Sequence, residues 1–349
     1  MTPRNMAGHT IGFYKLHNLL GEGDFGAVYD ATEVEVASQS DAPRYAVKCM
    51  KKQDSHLAEY QARELALHKL VSAHPNVVTL HDTIVSDDNS TVSVVMDLCK
   101  GGDLLGPISR RELIGKNDEV KKLFLQLIDV VAFCHEKGVF HRDLKPDNVL
   151  LDGEGNMFLA DFGLSSDEET SKGFGCGTKQ YLSPECVGEI SRDAYSHRTT
   201  DVWALGVILT GMLTGWFPWK MACSLDPCWK AFQADRQWFF DAFNVSNDAA
   251  QLLIDIFNVD SSARITLPAL RKRFEEMQTF FPDPDTPRKD LTNVNPKPIG
   301  MLRERQRGPG AARPNGVKPA VGGAQVMPQV GVGGGRAKLP QRKRVMIAD

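Results

Sequence analysis

The sequence predicts an α+β fold in two lobes, a small β-rich one followed by a larger helical one. Two observations carry this. Between residues 11 and 96 short β-prone runs are separated by turn-rich pieces such as Ser86-Asp-Asp-Asn-Ser90, with one helical segment among them. After Gly101-Gly102 the apolar residues recur at helical spacing instead.

In chain order, residues 1–10 read as a leader, with charges and Pro3 where a signal peptide needs an apolar core. Strands are expected at 11–20, 27–36, 44–50, 77–85 and 91–96. A helix is expected at 55–71, where Leu57, Tyr60, Leu65, Leu67, Leu70 and Val71 fit packing on a sheet better than alternation. The clearest amphipathic stretch is 120–135, with apolar residues at 120, 123, 124, 127, 128 and 131, and later helical stretches lie near 201–214, 248–257 and 267–280. These place a folded unit at 11–281, with lobes at about 11–98 and 99–281, and a ligand between lobes would meet the junction at 96–102. Residues 282–349 turn to Pro, Gly, Arg and Lys, including Gly331-Val-Gly-Gly-Gly335, and are expected to be a disordered tail.

Charge is divided unevenly. The net −3 comprises about +10 from residue 286 onward and −13 before it, so an acidic body carries a basic tail. An acidic body argues against nucleic acid, which needs clustered positive charge, and favours basic protein segments. The seven cysteines show neither CxxC pairs nor histidines at metal spacing, so reduced thiols in a cytoplasmic or nuclear protein are expected. No apolar run reaches the roughly 18 residues of a membrane helix.

Four clusters carry chemistry. Gly21-Glu22-Gly23-Asp24-Phe25-Gly26-Ala27-Val28 lies between two expected strands, where glycines let backbone N–H groups approach phosphates. Alone it is a weak signal, and β-prone residues follow it where a dinucleotide fold needs a helix. Lys48, flanked by apolar residues, needs anionic partners: nucleotide phosphates and a helix carboxylate, Glu64 in preference to Glu59. His141-Arg-Asp143-Leu-Lys145-Pro-Asp-Asn148 places a carboxylate, an amine and an amide within eight residues. Phosphoryl transfer needs a group that accepts the hydroxyl proton, a cation near the moving phosphoryl and a metal ligand, which Asp143, Lys145 and Asn148 supply in that order. Asp161-Phe-Gly163 adds a second carboxylate for Mg²⁺, a cation that prefers such oxygen ligands with substrate phosphates.

These motifs, in this order from Ile11 to Phe281, resemble the eukaryotic protein kinases. The resemblance implies the bilobal kinase fold, ATP and Mg²⁺ as cofactors, and transfer of the γ-phosphoryl group to a protein serine or threonine. Lys145 and Gly177-Thr178 match the Ser/Thr pattern. It also implies that Glu185 of Ser183-Pro-Glu185 pairs with Arg264, and that Asp201 ties down the catalytic-loop backbone. Met96 falls at the gatekeeper position, Asp97 to Cys99 at the adenine-binding hinge, Val28, Ala46 and Leu150 around the purine, and Asp103 at the ribose. Gly175-Cys-Gly-Thr178 with Ser183-Pro-Glu-Cys186, Phe217-Pro-Trp-Lys220 and Ile265-Thr-Leu-Pro268 are similar to fungal kinases of meiosis, filamentation and nutrient response.

Asp103 and Asp147 match positions where basophilic relatives bind a substrate arginine three residues before the target, whereas Gly211 stands where some place a further acid. One upstream basic residue is therefore expected, with two solvated loop carboxylates as the plainer alternative. Arg142 ordinarily accompanies an activating phosphate, yet Phe174 occupies the commonest phosphorylation position. Thr170 or Ser171 substitutes, or Asp167-Glu168-Glu169 supplies the charge, or Phe174 packing orders the segment; activity without phosphorylation is the expectation. His68 should project toward Phe162 in a stack with His141 and Leu80, as a satisfied imidazole rather than a pH switch. The tail reads as a solvated chain, with acidic partners or nuclear import through Gln341-Arg-Lys-Arg-Val345 as alternatives. A monomeric catalytic domain is expected. Its rivals are a catalytically dead binding module, disfavoured by the full residue set, and a small-molecule phosphotransferase, disfavoured by Glu185 and Arg264.

Overall fold

A computed structural model describes residues 6–23, 26–36, 42–190, 192–282 and 295–297. The expected tail, 282–349, lies outside them except for Pro282 and 295–297, as does residues 1–5 of the expected leader.

The small lobe is built on a six-stranded antiparallel sheet, ordered β1-β2-β3-β4-β6-β5. Its strands are β1 (Thr10–Ile11), β2 (Tyr14–Gly23), β3 (Gly26–Glu33), β4 (Arg44–Lys51), β5 (Leu80–Val85) and β6 (Thr91–Asp97). The expected 11–20 strand is divided at Gly12, whose φ of 55° turns the chain, and Val34–Val36 tightens into a 3-10 turn. Residues 6–9 are part of this edge rather than a free leader, since the Gly8 amide donates to the Leu16 carbonyl. Alternation sorts the two faces. Leu16, Ala27, Tyr29, Ala31, Val47, Cys49 and Val95 form one buried layer. Met50, Leu80, Val92 and Val94 form the other, with Leu65 and Met96 against it.

That second face receives α1 (Ser55–Val71), which has the expected bounds. Its buried stripe is Leu67, His68 and Val71; Leu57, Tyr60 and Leu70, expected to pack, are about half exposed. β5 begins at Leu80 rather than Val77 because residues 76–78 are drawn to the other lobe. Val77 bridges Leu159, the Val78 amide donates to the Leu159 carbonyl, and Asn76 Nδ2 donates to the Met157 carbonyl at 2.8 Å.

The large lobe begins with β7 (Gly102–Asp103), α2 (Leu105–Arg110) and α3 (Asn117–Glu136). β8 (Val149–Leu151) and β9 (Met157–Leu159) join β7 in a three-stranded sheet below the cleft. β10 (Thr170–Ser171) and β11 (Tyr195–Ser196) pair across the segment that contains α4 (Pro184–Val187). Then come α5 (His197–Thr214), α6 (Pro227–Ala234), α7 (Gln237–Ala242), α8 (Asn247–Ile256) and α9 (Leu267–Glu276). α5 is buried nearly all round, as a central helix must be. Trp203 on it meets Trp219, Trp229 and Phe257 at ring separations of 5.0–5.6 Å. Each such ring contributes about 1.5–3 kcal/mol by leaving water.

The expected helix over 267–280 stops at Glu276. Met277, Phe280 and Phe281 keep helical spacing and stay buried, but Lys121 Nζ donates to the Met277 carbonyl and the Phe280 amide donates to Asn117 Oδ1. Side chains of α3 thus satisfy backbone groups that further helix would have satisfied.

Candidate active site

The glycine-rich stretch closes a β2–β3 hairpin in which Gly23 faces Gly26; Asp24 and Phe25 lie outside the described residues. Gly26 has φ 144°, and a Cβ there would stand 2.2 Å from the Cys49 carbonyl oxygen, so only glycine lets β3 lie against β4. Gly21 is the opposite case, with nothing within 4 Å of where its Cβ would be. An open backbone edge of this kind is what an approaching phosphate requires. Glu22 sits in β2 opposite Ala27.

Pairing then fixes one face. Val28 pairs with Lys48, and Ala46 with Met96, so Val28, Ala46, Lys48 and Met96 all project toward α1 and the cleft. Lys48 Nζ lies 3.0 Å from Glu64 Oε1 and 3.6 Å from Asp161 Oδ1. Burial opposes the ammonium, yet the Asp161 and Glu64 carboxylates outweigh it and hold its pKa above the usual lysine range. Asp161, conversely, stays below the usual carboxylate range against burial, chiefly through Lys48. Glu59 is exposed on α1, and it is Glu64 that pairs with Lys48.

The loop 141–148 is held from beneath by α5. Asp201, 1% exposed, accepts the backbone N–H groups of His141 and Arg142 at 2.9 Å each, and His135 Nε2 lies 2.9 Å from the same carboxylate. Burial disfavours this charge, but those donors keep the carboxyl below its usual range. The loop bends sharply enough to put Arg142 at φ 65°, and Asp161 stands at 61°. Left-handed backbone at non-glycine residues costs about 1–2 kcal/mol each and persists only where neighbours enforce it.

Asp143 is thereby presented with both oxygens engaged. Lys145 Nζ meets Oδ2 at 2.5 Å, and the Thr178 amide donates to Oδ1 at 2.8 Å. Lys145 also donates to Thr178 Oγ1 at 3.1 Å, so the segment ending in Ser183-Pro-Glu185 is tied to the loop. Gly177 permits this approach: at φ 115°, a Cβ would come within 2.7 Å of the Arg142 carbonyl. Asn148 Nδ2 donates to the Asp143 carbonyl at 2.9 Å, which commits its amide nitrogen and leaves the side-chain oxygen as the group for a cation. The donors offered by Asn148 and Asp161 are hard oxygens. Among the described residues no three His, Cys, Asp or Glu side chains gather as a metal site.

At the junction, Met96 and Asp97 end β6 and Cys99 follows, all half-buried. Asp97 turns its carboxylate away from the cleft, where Oδ2 accepts from the Thr79 amide and Oδ1 lies 2.6 Å from His81 Nε2. Burial, then the charges of Asp97 and Asp152, push the Cys99 thiol up to about 12. Leu150 pairs with Asp103 across β8 and β7, and Asp103 Oδ1 accepts from the Gly106 amide in the first turn of α2 at 3.0 Å. Burial, reinforced by the Asp103 and Asp143 charges, pushes the Asp147 carboxyl above the usual range despite its own backbone and Lys145.

Two further features organise the surroundings. Arg264 meets Glu185 through two hydrogen bonds, of 2.5 and 3.0 Å, both residues being buried. His68 stacks on Phe162 with centroids 4.9 Å apart, and the tilted His141 ring lies 5.1 Å from Phe162, linking α1 to the loop. Sequence reasoning missed His135 as a partner of Asp201, 66 residues away; its place on the apolar stripe of 120–135 was the available signal. It also missed His197, which is buried at the start of α5 with Nδ1 2.6 Å from the Glu168 carbonyl.

Comparison with known proteins bears on the whole arrangement. Residues 14–274 match the protein kinase domain family. A fission yeast (Schizosaccharomyces pombe) negative regulator of sexual conjugation and meiosis is 34% identical over 293 residues, 77% of this chain and 61% of that protein. CBL-interacting serine/threonine-protein kinase 5 of Arabidopsis thaliana is 34% identical over 280 residues, 78% of this chain and 60% of the relative. CBL-interacting protein kinase 5 of Oryza sativa subsp. japonica is 35% identical over 268 residues, covering 74% and 54%. The chain spans about 60% or less of the length of these relatives. The fungal likeness read from the motifs is thus shared with plant kinases. With the domain matched across both lobes and through every motif described above, the chain belongs to the protein kinase family.

Proposed function

We propose that this chain transfers the γ-phosphoryl group of MgATP to serine or threonine hydroxyls of proteins. The observation that carries the reading is the triangle of Asp143, Lys145 and Thr178, in which the carboxylate that would receive the hydroxyl proton is locked to the segment that would hold the acceptor. Within it Asp143 orients the hydroxyl and takes its proton, and Lys145 sits beside the position of the moving charge. Lys48, fixed by Glu64, would hold the α and β phosphates beneath the open glycine edge. Asn148 and Asp161 would hold Mg²⁺, which neutralises phosphate charge when bound. Asp143→Asn keeps the shape and removes the proton acceptor, so transfer of radiolabelled phosphate to a basic protein should fall by about 10²–10⁴-fold. Equal transfer by both proteins would leave a binding module as the better reading.

Substrates with one upstream basic residue suit the site. Asp147 is pushed up partly by Asp103 and Asp143, and a cation placed between Asp147 and Asp103 would relieve that repulsion. Asp147→Asn should therefore raise KM about 5–20-fold for a peptide with arginine three residues before the target and leave one with alanine there unchanged. A library that selects acidic or proline-directed peptides refutes this preference. A monomer acting in the cytoplasm or nucleus fits the seven free thiols and the acidic body. The likeness to fungal kinases of meiosis, filamentation and nutrient response extends the proposal to a signalling role in such responses.

Side-chain packing holds the activation segment against the large lobe. Phe174 packs on Tyr195 at 5.7 Å with Arg192 over its ring at 5.4 Å, and β10 pairs with β11. This favours basal activity in the unmodified chain.

A further inference from the structure

α6 and α7 hold a stretch of the chain's own backbone. Cys228 on α6, 2% exposed, has its Sγ 3.2 Å from the Lys297 carbonyl oxygen, and Trp238 on α7, 9% exposed, donates from Nε1 to the Pro296 carbonyl at 3.3 Å. Burial, reinforced by the Asp226 charge, pushes the Cys228 thiol up to about 12, so the group is an S–H donor rather than a thiolate. Two helices thus take two successive carbonyls. Neither bond involves a side chain of residues 295–297, so what is gripped is main chain that any extended segment offers.

A third group beside them is left unserved. Phe232 stands one helical turn beyond Cys228, so the two share a stripe of α6, where such neighbours lie about 5–6 Å apart. The Arg236 guanidinium lies over the Phe232 ring at 4.2 Å, two residues before Trp238. Its Nη1 is buried with no hydrogen-bond partner among the described residues. Burial alone pushes the Arg236 pKa below the usual arginine range, the mark of a guanidinium with no carboxylate at hand. A buried N–H of a charged group is costly to leave unmade, and a carboxylate is the acceptor that matches the guanidinium fork. Asn295, Pro296 and Lys297 bring none.

We propose that α6 and α7 form a docking surface for an extended acidic segment of a partner protein, which gives two carbonyls to Cys228 and Trp238 and a carboxylate to Arg236. The partner exchanges with Asn295-Pro296-Lys297 on this face. Charge complementarity selects that occupant: the chain's own segment shows the backbone that the face accepts, and Arg236 shows the charge that this segment does not bring. The loop entering α6 is bonded to the chain just past α4, where the Ser224 amide donates to Glu189 Oε1 at 2.7 Å. A partner docked on α6 is therefore held one loop from the segment that ends in Ser183-Pro-Glu185. The surface uses no catalytic residue, so it stands apart from the kinase reading.

The test uses the full chain at physiological salt and short synthetic peptides centred on Asn-Pro-Lys, in which one glutamate is moved through the flanking positions, each peptide paired with its glutamine counterpart. Calorimetry should find a position at which the glutamate peptide binds about 5–20-fold more tightly than the glutamine one. A nitroxide on that peptide should broaden the Trp238 indole ¹⁵N–¹H resonance, assigned through Trp238→Phe, ahead of the other indoles. Arg236→Gln should bring the two peptides level. Should that variant not fold, the wild-type preference and the Trp238 broadening decide. Phosphoryl transfer is compared separately with Asp143→Asn, so a failure of the kinase reading shows itself without touching the docking result. No binding, equal binding of the glutamate and glutamine peptides at every position, a preference that survives in folded Arg236→Gln, or an unbroadened Trp238 resonance overturns the docking surface.

Discussion

At the scale of single residues, His68 shows how burial decides chemistry. It is 5% exposed, stacked on Phe162, with Nε2 2.7 Å from the Val78 carbonyl. Burial, with Lys48 and His141 nearby, lowers its pKa to about 4, although the Val78 bond and Asp161 pull the other way. Unfolded, a histidine titrates near 6.5. Between those values the unfolded chain binds a proton that the native chain excludes, so stability rises with pH from about 4 to 6.5 and is flat above. Over that window the change amounts to about 3 kcal/mol. Urea unfolding of wild type against His68→Gln, whose amide still donates to the Val78 carbonyl, should show this slope in the wild type alone. Equal slopes would mean that other groups carry it.

At the scale of elements, legibility tracked how local the determining contacts are. The bounds of α1 and the chemistry of the loop 141–148 could be read because each is set by residues close in sequence. The exposure of Leu57 and Tyr60 and the end of α9 could not, because they depend on what lies opposite, such as Lys121 and Asn117 across from Met277 and Phe280. The two-residue pair of β10 and β11 carries almost no pattern of its own, so the contact of His197 with the Glu168 carbonyl stayed hidden. Phe174 packs on this pair, with its ring against Tyr195 and Arg192 over it. Phe174→Ala should release about 1–2 kcal/mol of local order with little change in global unfolding. Trypsin cleavage after Lys172 or Lys179 should then quicken about 5–30-fold, and kcat/KM should fall in parallel. Cleavage and turnover equal to wild type would show that something other than Phe174 orders the segment.

At the scale of the whole molecule, charge links the folded body to its tail. Residues 298–349 hold ten Lys/Arg against two Asp/Glu, so the remaining 1–297 carry a net charge of −11. A body of that charge attracts basic peptides in general from beyond contact distance. Such attraction is screened within about 8–10 Å at physiological salt, so kcat/KM for a basic peptide should fall as salt rises from 20 to 300 mM while that for a neutral peptide stays level. The positive charge of residues 298–349 lowers the net negative charge that a basic peptide meets. Ending the chain after Lys297 keeps the contact of Cys228 Sγ and Trp238 Nε1 with the 296–297 backbone and removes only the competing charge. Kinetics of this shortened chain should show a lower KM for the basic peptide, by about 2–5-fold at low salt, and a steeper salt dependence that converges with the full chain at high salt. If the difference instead persists undiminished at 300 mM, the tail acts through a specific contact rather than through its charge.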